Sequence, residues 1–302
     1  MAIQKHDFKW DNDFDSIRRF LGELFPIQKS YTNWLPTTLE NVKFGPGGTE
    51  YLDEEDEYLK IWRDRDHIVA LSVTKPSGSC HLSIHPEYFE IAGEVVIWMQ
   101  ERVRELSQKD STKMSLVVDD ADDDLISVLS RLGFEKDEIE GDNQVRLADS
   151  PIQTYSLPEG YSVRNAIIAE DYEKYREVQK AVFPHIKSMS KELLDTYGSA
   201  SFYQEELDIV AVAPNGEFAA FCTARIDPVS KITELEPVGT HPNHRKLGLG
   251  RAVILETFKR LEKFNPSVVV ILGAAPSEAA RKLYESVGFV NHGMAHYWTK
   301  IV

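Results

Sequence analysis

Apolar positions along the chain fall into short alternating or continuous runs, separated by longer stretches in which they recur every three or four residues. Strands alternating with amphipathic helices produce this pattern. In the first half it predicts a helix over 16–25, antiparallel strands over 58–62 and 68–74, and a strand over 81–84 that stops at His85-Pro86. A long helix follows over 90–106, carried by Ile91, Val95, Val96, Met99 and Val103, then a buried strand over 114–118. A helix over 124–132 is closed by Gly133, placed as a C′ glycine, and a strand-rich tail runs to Leu147. In the second half the pattern predicts a strand over 161–164 and helices over 171–182 and 191–197. A hairpin of 209–213 and 218–225 turns at Pro214-Asn215-Gly216, and a strand over 232–240 is interrupted by Pro237. Leu249, Val253, Ile254, Phe258 and Leu261 lie on one face of a helix over 249–261. The unbroken apolar run 268–272 reads as a parallel strand buried on both faces. A helix over 277–287 ends at Gly288, and strands 289–293 and 295–300 are expected to pair with each other and close the sheet.

The two halves repeat. His85-Pro86 matches His241-Pro242 at an offset of 156, and the six residues from Leu129 to Phe134 match those from Tyr284 to Phe289 at 155. Leu24-Phe25-Pro26 matches Val182-Phe183-Pro184 at 158. Three collinear matches at nearly one offset indicate a tandem duplication. The expected division is 1–150 and 151–302, with the joint in the Pro-, Ser- and Gly-containing stretch 150–160. Each half reads as an α/β sandwich with a mixed sheet.

At 302 residues the chain is long enough for two cores, and 42% hydrophobic with 27% charged residues describes an ordinary globular protein. No apolar run approaches a membrane span, and the N-terminus is charged rather than signal-like, so no membrane partner is expected. Cys80 and Cys222 alone make no disulfide framework, and a reducing cytoplasm is the expected compartment. The formal net charge of −15 argues against nucleic acid as a partner and is compatible with steering a cationic amine.

Two glycines, Gly248 and Gly250, sit where a strand turns into a helix. Amides at a helix N-terminus and the positive end of its dipole favour an anion, above all a phosphate, and Arg245 and Lys246 add charge beside them. Lacking Cβ atoms, both glycines are expected to let a ligand approach the backbone. A dinucleotide fold would need glycine where Val253 stands. A P-loop would need Gly-Lys followed by Ser or Thr, but Gly250 is followed by Arg251-Ala252. The remaining pattern, Arg245-x-x-Gly248-x-Gly250 between an apolar strand and an amphipathic helix, resembles the acyl-CoA signature of the GNAT N-acetyltransferases. A second signature of that family is matched by Ala280-x-x-Leu283-Tyr284-x-x-x-Gly288-Phe289.

The resemblance implies two tandem GNAT-like domains, each a mixed, mostly antiparallel twisted sheet flanked by helices with a splayed central strand pair. The twofold layout resembles that of mycothiol synthase-like proteins without specifying their substrate. It implies acetyl-CoA as co-substrate and transfer of the acetyl group to a primary amine, with a small molecule as the first choice of acceptor. A protein or peptide amine is the alternative acceptor, and a CoA-responsive binding protein without turnover is the rival of another class. Val238, Gly239 and Thr240 would face the pantetheine arm. Arg245, Lys246, Leu247, Gly248, Leu249, Gly250 and Arg251 would hold the diphosphate, with Ser277, where the family often has Asn, as a further contact. Attack on a thioester needs an amine free of its extra proton, hence a base. Glu236 matches the catalytic glutamate position, with Glu234 as second choice. Glu234, Glu236, Val238 and Thr240 would share one face if alternation held. Tyr284 would protonate the departing thiolate. No metal is expected, because His241, His244, His292 and His296 lack the spacing of a ligand set. The oligomeric expectation is a monomer or homodimer.

The first half lacks this chemistry. Phe89, Ala92 and Glu94 stand where the second half has Arg245, Gly248 and Gly250, and Leu129 stands at the Tyr284 position. The acidic run 119–124 replaces Gly273-Ala274-Ala275 and its sequel, so carboxylates would repel a diphosphate there. This half therefore reads as non-catalytic, shaping the acceptor cleft or standing in for a second subunit. Phe183, His185 and Tyr197 are candidates for the acceptor wall, with core packing as the other reading of the aromatics.

Overall fold

The structure is a computed structural model describing residues 3–28, 31–32, 34–45, 58–185, 190–275 and 277–302. Its first half contributes β1 (Gln4–Asp7), α1 (Trp10–Leu24), α2 (Pro36–Phe44), β2 (Leu59–Asp64), β3 (His67–Thr74) and β4 (Ser79–Ile84). A 3₁₀ turn (Pro86–Ile91) then runs into α3 (Ala92–Ser107), followed by β5 (Lys113–Asp119), α4 (Asp123–Arg131) and β6 (Glu135–Leu147). The second half contributes β7 (Ser162–Asn165), α5 (Ile168–Val182), α6 (Lys191–Tyr197), β8 (Asp208–Val212), β9 (Phe218–Ile226) and β10 (Ile232–Thr240). It ends with α7 (Leu249–Leu261), β11 (Val268–Ala274), α8 (Glu278–Glu285) and β12 (Val290–Ile301).

Among the described residues one twelve-stranded sheet runs β1-β2-β3-β4-β5-β12-β6-β11-β10-β9-β8-β7. The two halves exchange their last strands: β12 pairs with β5 of the first half, and β6 pairs with β11 of the second. The exchanged strands also pair with each other at the centre. The expected hairpin of two closing strands does not form. Residues 290–301 are a single strand, and the register slip between Asn291 and Met294 bends it along β6 without reversing the chain. The tail of the first half is likewise one strand of 13 residues.

Core clusters lie on both faces. Val95, Val96 and Met99 of α3 pack on Leu82, Leu116 and Val118, while Leu249, Val253 and Phe258 of α7 pack on Leu235, Val269 and Ile271. On the opposite face, α1 covers Ile61 and Leu71, and α5 covers Val210 and Phe221. Between those two helices Tyr31 and residues 34–38 lie over the middle of the sheet. Leu35 packs on Val145, Ile232 and Val270, Trp34 stacks on His81 with centroids 5.2 Å apart, and Tyr31 meets His292 at 4.9 Å. Periodicity did not predict α2, the nine-residue helix into which this stretch runs, because it has little amphipathic contrast. Pro36 at its first turn suits a helix start.

A buried polar network ties the halves together. Arg18 of α1 donates through Nε to Asp227 at 2.5 Å and through Nη2 to Ser201 at 2.6 Å, with Glu40 at 3.6 Å. Glu40 in turn accepts from the Ser201 amide and hydroxyl. Removing one partner of such a network leaves uncompensated buried charge. Arg18→Ala is expected to lower unfolding stability by about 3–5 kcal/mol in urea titration, with the fluorescence and circular dichroism transitions still coincident.

Candidate active site

The site is built around an unpaired edge. β10 runs parallel to β11 only where Ile232, Thr233 and Glu234 face Val268, Val269 and Val270, yet it stays paired to β9 as far as Thr240. Beyond Glu234 the two parallel strands diverge, and the β11-facing edge of Val238, Gly239 and Thr240 is left open among the described residues. The first half keeps a shorter version, in which β4 pairs with β5 only at Ser79 and Cys80.

Register along β10 corrects the expected alternation. Leu235 lies opposite Ala224 and Val238 opposite Cys222, so Glu236 and Pro237 together occupy the space of one residue. Proline cannot donate to a ladder, and the extra residue makes a bulge. Leu235 and Val238 therefore both turn toward the core under α7, while Glu234 turns to the opposite face against Arg225. The acids and the pantetheine-edge residues thus do not share a face.

At the end of β10, Pro242–His244 forms a 3₁₀ turn and the chain enters α7 through Lys246 and Gly248, both at positive φ (64° and 78°). The amides from Lys246 through Arg251 find no protein acceptor among the described residues, and Arg245 and Lys246 are exposed beside them. Successive free amides at a helix N-terminus fit a diphosphate. The two glycines differ in function. A Cβ on Gly248 would meet nothing within 4 Å, whereas one on Gly250 would lie 2.9 Å from Thr240 Oγ1 and 3.4 Å from a Leu283 methyl. Gly248 offers close approach to a ligand and a left-handed turn. Gly250 instead lets α7 sit against the end of β10 and α8, and only its amide faces outward.

Three of the expected contact residues have protein partners: Arg245 donates through Nε to the Thr240 carbonyl at 3.4 Å, and Arg251 and Ser277 are engaged as well. Arg251 reaches back to the segment joining the halves, donating to the Thr154 carbonyl at 3.0 Å and to the Gln153 side chain. Ser277 caps α8, accepting from the Ala280 amide at 3.2 Å. In the first half, the 3₁₀ turn continues directly into α3, whose preceding residue Ile91 is already helical. Asp119 is fully buried there, accepting from the Ala121 amide and from Asn143 Nδ2.

Two groups can move protons near the splay. Glu236 is exposed, and the protein around it partly desolvates its carboxyl and lifts it above the ordinary glutamate value. Arg225 opposes that rise and Glu234 adds to it. Tyr284 of α8 is buried, and desolvation, followed by the fields of Cys222 and Glu236, pushes its hydroxyl well above the usual phenol value. Sequence reasoning missed Arg225, which sits opposite Glu234 on β9, with Nη1 3.6 Å from its carboxylate, and donates through Nε to Tyr197 Oη at 2.7 Å. Thr37 was missed too: its hydroxyl crosses from α2 to donate to Glu234 at 3.1 Å. Of the proposed acceptor wall, Tyr197 is buried in this network, Phe183 packs on Phe221, and His185 is exposed. Of the four histidines, His241 and His244 lie with ring centres 5.5 Å apart. His244 bonds Tyr161 and Glu217, His241 caps its own turn, His296 bonds Asp120 and His292 lies on Tyr31.

The acetyltransferase (GNAT) family model matches residues 169–289. A mycothiol acetyltransferase of Paenarthrobacter aurescens is 28% identical over 148 residues, 47% of this chain and 46% of its own length. The chain thus spans about half the length of the curated relatives it matches. A GCN5-related N-acetyltransferase of Sphaerobacter thermophilus superposes with a TM-score of 0.69 at 14% identity, covering 99% of this chain and 95% of that one. A tandem GNAT protein of the clavulanic acid biosynthesis pathway gives 0.70 at 12% identity, covering 99% and 98%. At such identities the likeness is one of fold, and it extends over both halves. Both the strand splay and the glycine turn fall inside the stretch that matches the GNAT acetyltransferase family model.

Proposed function

We propose that the chain is an acetyl-CoA-dependent N-acetyltransferase acting on a small primary amine, with residues 151–302 binding the co-substrate and residues 1–150 forming a non-catalytic half. The run of free amides around Gly248 carries this reading, because it pairs an anion cradle with an open strand edge. Lys246 through Gly250 would hold the diphosphate, and the free edge of Val238, Gly239 and Thr240 would pair with the pantetheine amides. The acceptor would enter from the opposite face, where residues 34–38 lie across the sheet and Thr37 touches Glu234. The packing of this segment over the sheet favours a small amine over a polypeptide, and the Glu234 and Glu236 carboxylates favour a cation.

Glu236 takes one proton from the ammonium, freeing the nitrogen lone pair. The nitrogen then forms the C–N bond, and the C–S bond breaks with its electrons on sulfur. Tyr284 gives its proton to that sulfur, and the second nitrogen proton restores the phenol through solvent. Burial keeps this hydroxyl protonated and so available to the departing sulfur, while making it a weaker acid than an exposed phenol.

Acetyl-CoA at about 100 times its dissociation constant should stabilise the protein by roughly 2.7 kcal/mol, read as a rise in melting temperature. Lys246→Ala should need more ligand for the same rise, and no rise in the parent protein would refute the cradle. Against an amine panel, Glu236→Gln should lower kcat by about 10²–10⁴-fold, and turnover equal to the parent would refute the assignment of the base. Because the Glu236 carboxyl is raised, kcat/KM should fall as pH drops through a limb above the ordinary glutamate value. Glu236→Gln should abolish that limb.

A further inference from the structure

We propose that Arg225 is a positioning residue that divides the work between the two strand carboxylates, pairing with Glu234 and leaving Glu236 free to meet the substrate. The proposal rests on the reading of Glu236 as the base.

Arg225 and Glu234 lie directly opposite each other on β9 and β10, on the face that residues 34–38 cover. The guanidinium is immobilised on three sides. Nε is bonded to the Tyr197 oxygen at 2.7 Å, and its plane lies 5.5 Å and 5.6 Å from the Tyr197 and Phe202 ring centres. Nη1 faces Glu234 Oε2 at 3.6 Å, and Thr37 donates to that same oxygen at 3.1 Å. Glu234 thus has a cation from its own half and a hydroxyl from the other. Glu236, displaced onto the bulge, has neither and stays free to meet a substrate.

The charge of Glu234 opposes ionisation of Glu236, and Arg225 counters that effect. Arg225 and Thr37 both engage Glu234, so among the described residues Glu236 is the carboxylate left without a side-chain partner. Among the described residues the charged or titratable groups whose fields reach Glu236 are Arg225 on β9, Glu234 on its own strand and Tyr284 on α8. Tyr197 on α6 acts on Arg225 and Glu234. Burial holds Tyr197 protonated, with its pKa pushed up to about 12, so it accepts from Arg225 as a neutral phenol.

The test is the acid limb of kcat/KM in single variants. Arg225→Gln leaves Glu234 unopposed and should move the limb up by about one pH unit. Glu234→Gln, isosteric and still able to accept from Thr37, removes the repulsion and frees Arg225 toward Glu236, so the limb should move down. Arg225→Lys should restore a near-parental limb while lowering the melting temperature, because charge is kept and the Tyr197 bond is lost. A purely structural Arg225 would lower kcat with the limb unmoved, and an unmoved limb in Glu234→Gln, or shifts of the same sign in both Gln variants, would overturn the proposal. Persistence of the limb in Glu236→Gln would instead refute the base itself, so the two failures are distinguishable.

Discussion

Strand β11 cannot be finished by its own half. Its partner β10 leaves it after Glu234, and its other edge must find hydrogen bonds or stay unpaired in the core. β6, arriving from the first half, supplies them from Val268 to Ile271, and β12 returns the service to β5. The requirement that buried backbone groups be paired therefore makes each half structurally incomplete alone. It also explains how β10 can diverge from β11 without collapse of the sheet. The opening between β10 and β11 exists because its far wall is anchored by the other copy.

The exchange brings both copies' faces to one central line, and that line is where the chemistry-bearing side chains meet. Residues 34–38 lie along it, with Trp34 on His81, Leu35 over Val145 and Val270, and Thr37 on Glu234. Burial leaves His81 neutral, its pKa lowered to about 3, so it accepts the Trp34 amide as an uncharged ring. The Arg18 network fixes α1 to the β9–β10 turn on the same side. The first half thus touches the acids of the second through Thr37.

Divergence between the copies is local. Both keep a strand that stops at His-Pro and separates from its parallel neighbour. They part at the helix entry, where a left-handed Gly248 leaves amides free in one copy and a continuous turn precedes α3 in the other. Asp119 completes the contrast by turning its carboxylate inward, onto Ala121 and Asn143.

The sequence alone determined what depends on neighbours along the chain. Helix and strand periods placed almost every regular element, offsets near 156 exposed the duplication, and the Arg245–Gly250 pattern marked the turn. Tertiary structure decided what depends on partners far apart in the chain. An alternating strand such as 290–301 carries no label for the strand beside it, so the exchange was invisible. The bulge at Glu236 became visible only through the register with β9, and it separated acids that alternation had placed with Val238 and Thr240. Gly250, Arg251 and Ser277 look like ligand residues in a motif, yet Thr240, Gln153 and the Ala280 amide lie against them in space. Arg225 and Thr37 carried no local signal at all. Their role arises from the packing of two distant segments onto Glu234, and only the folded chain holds that contact.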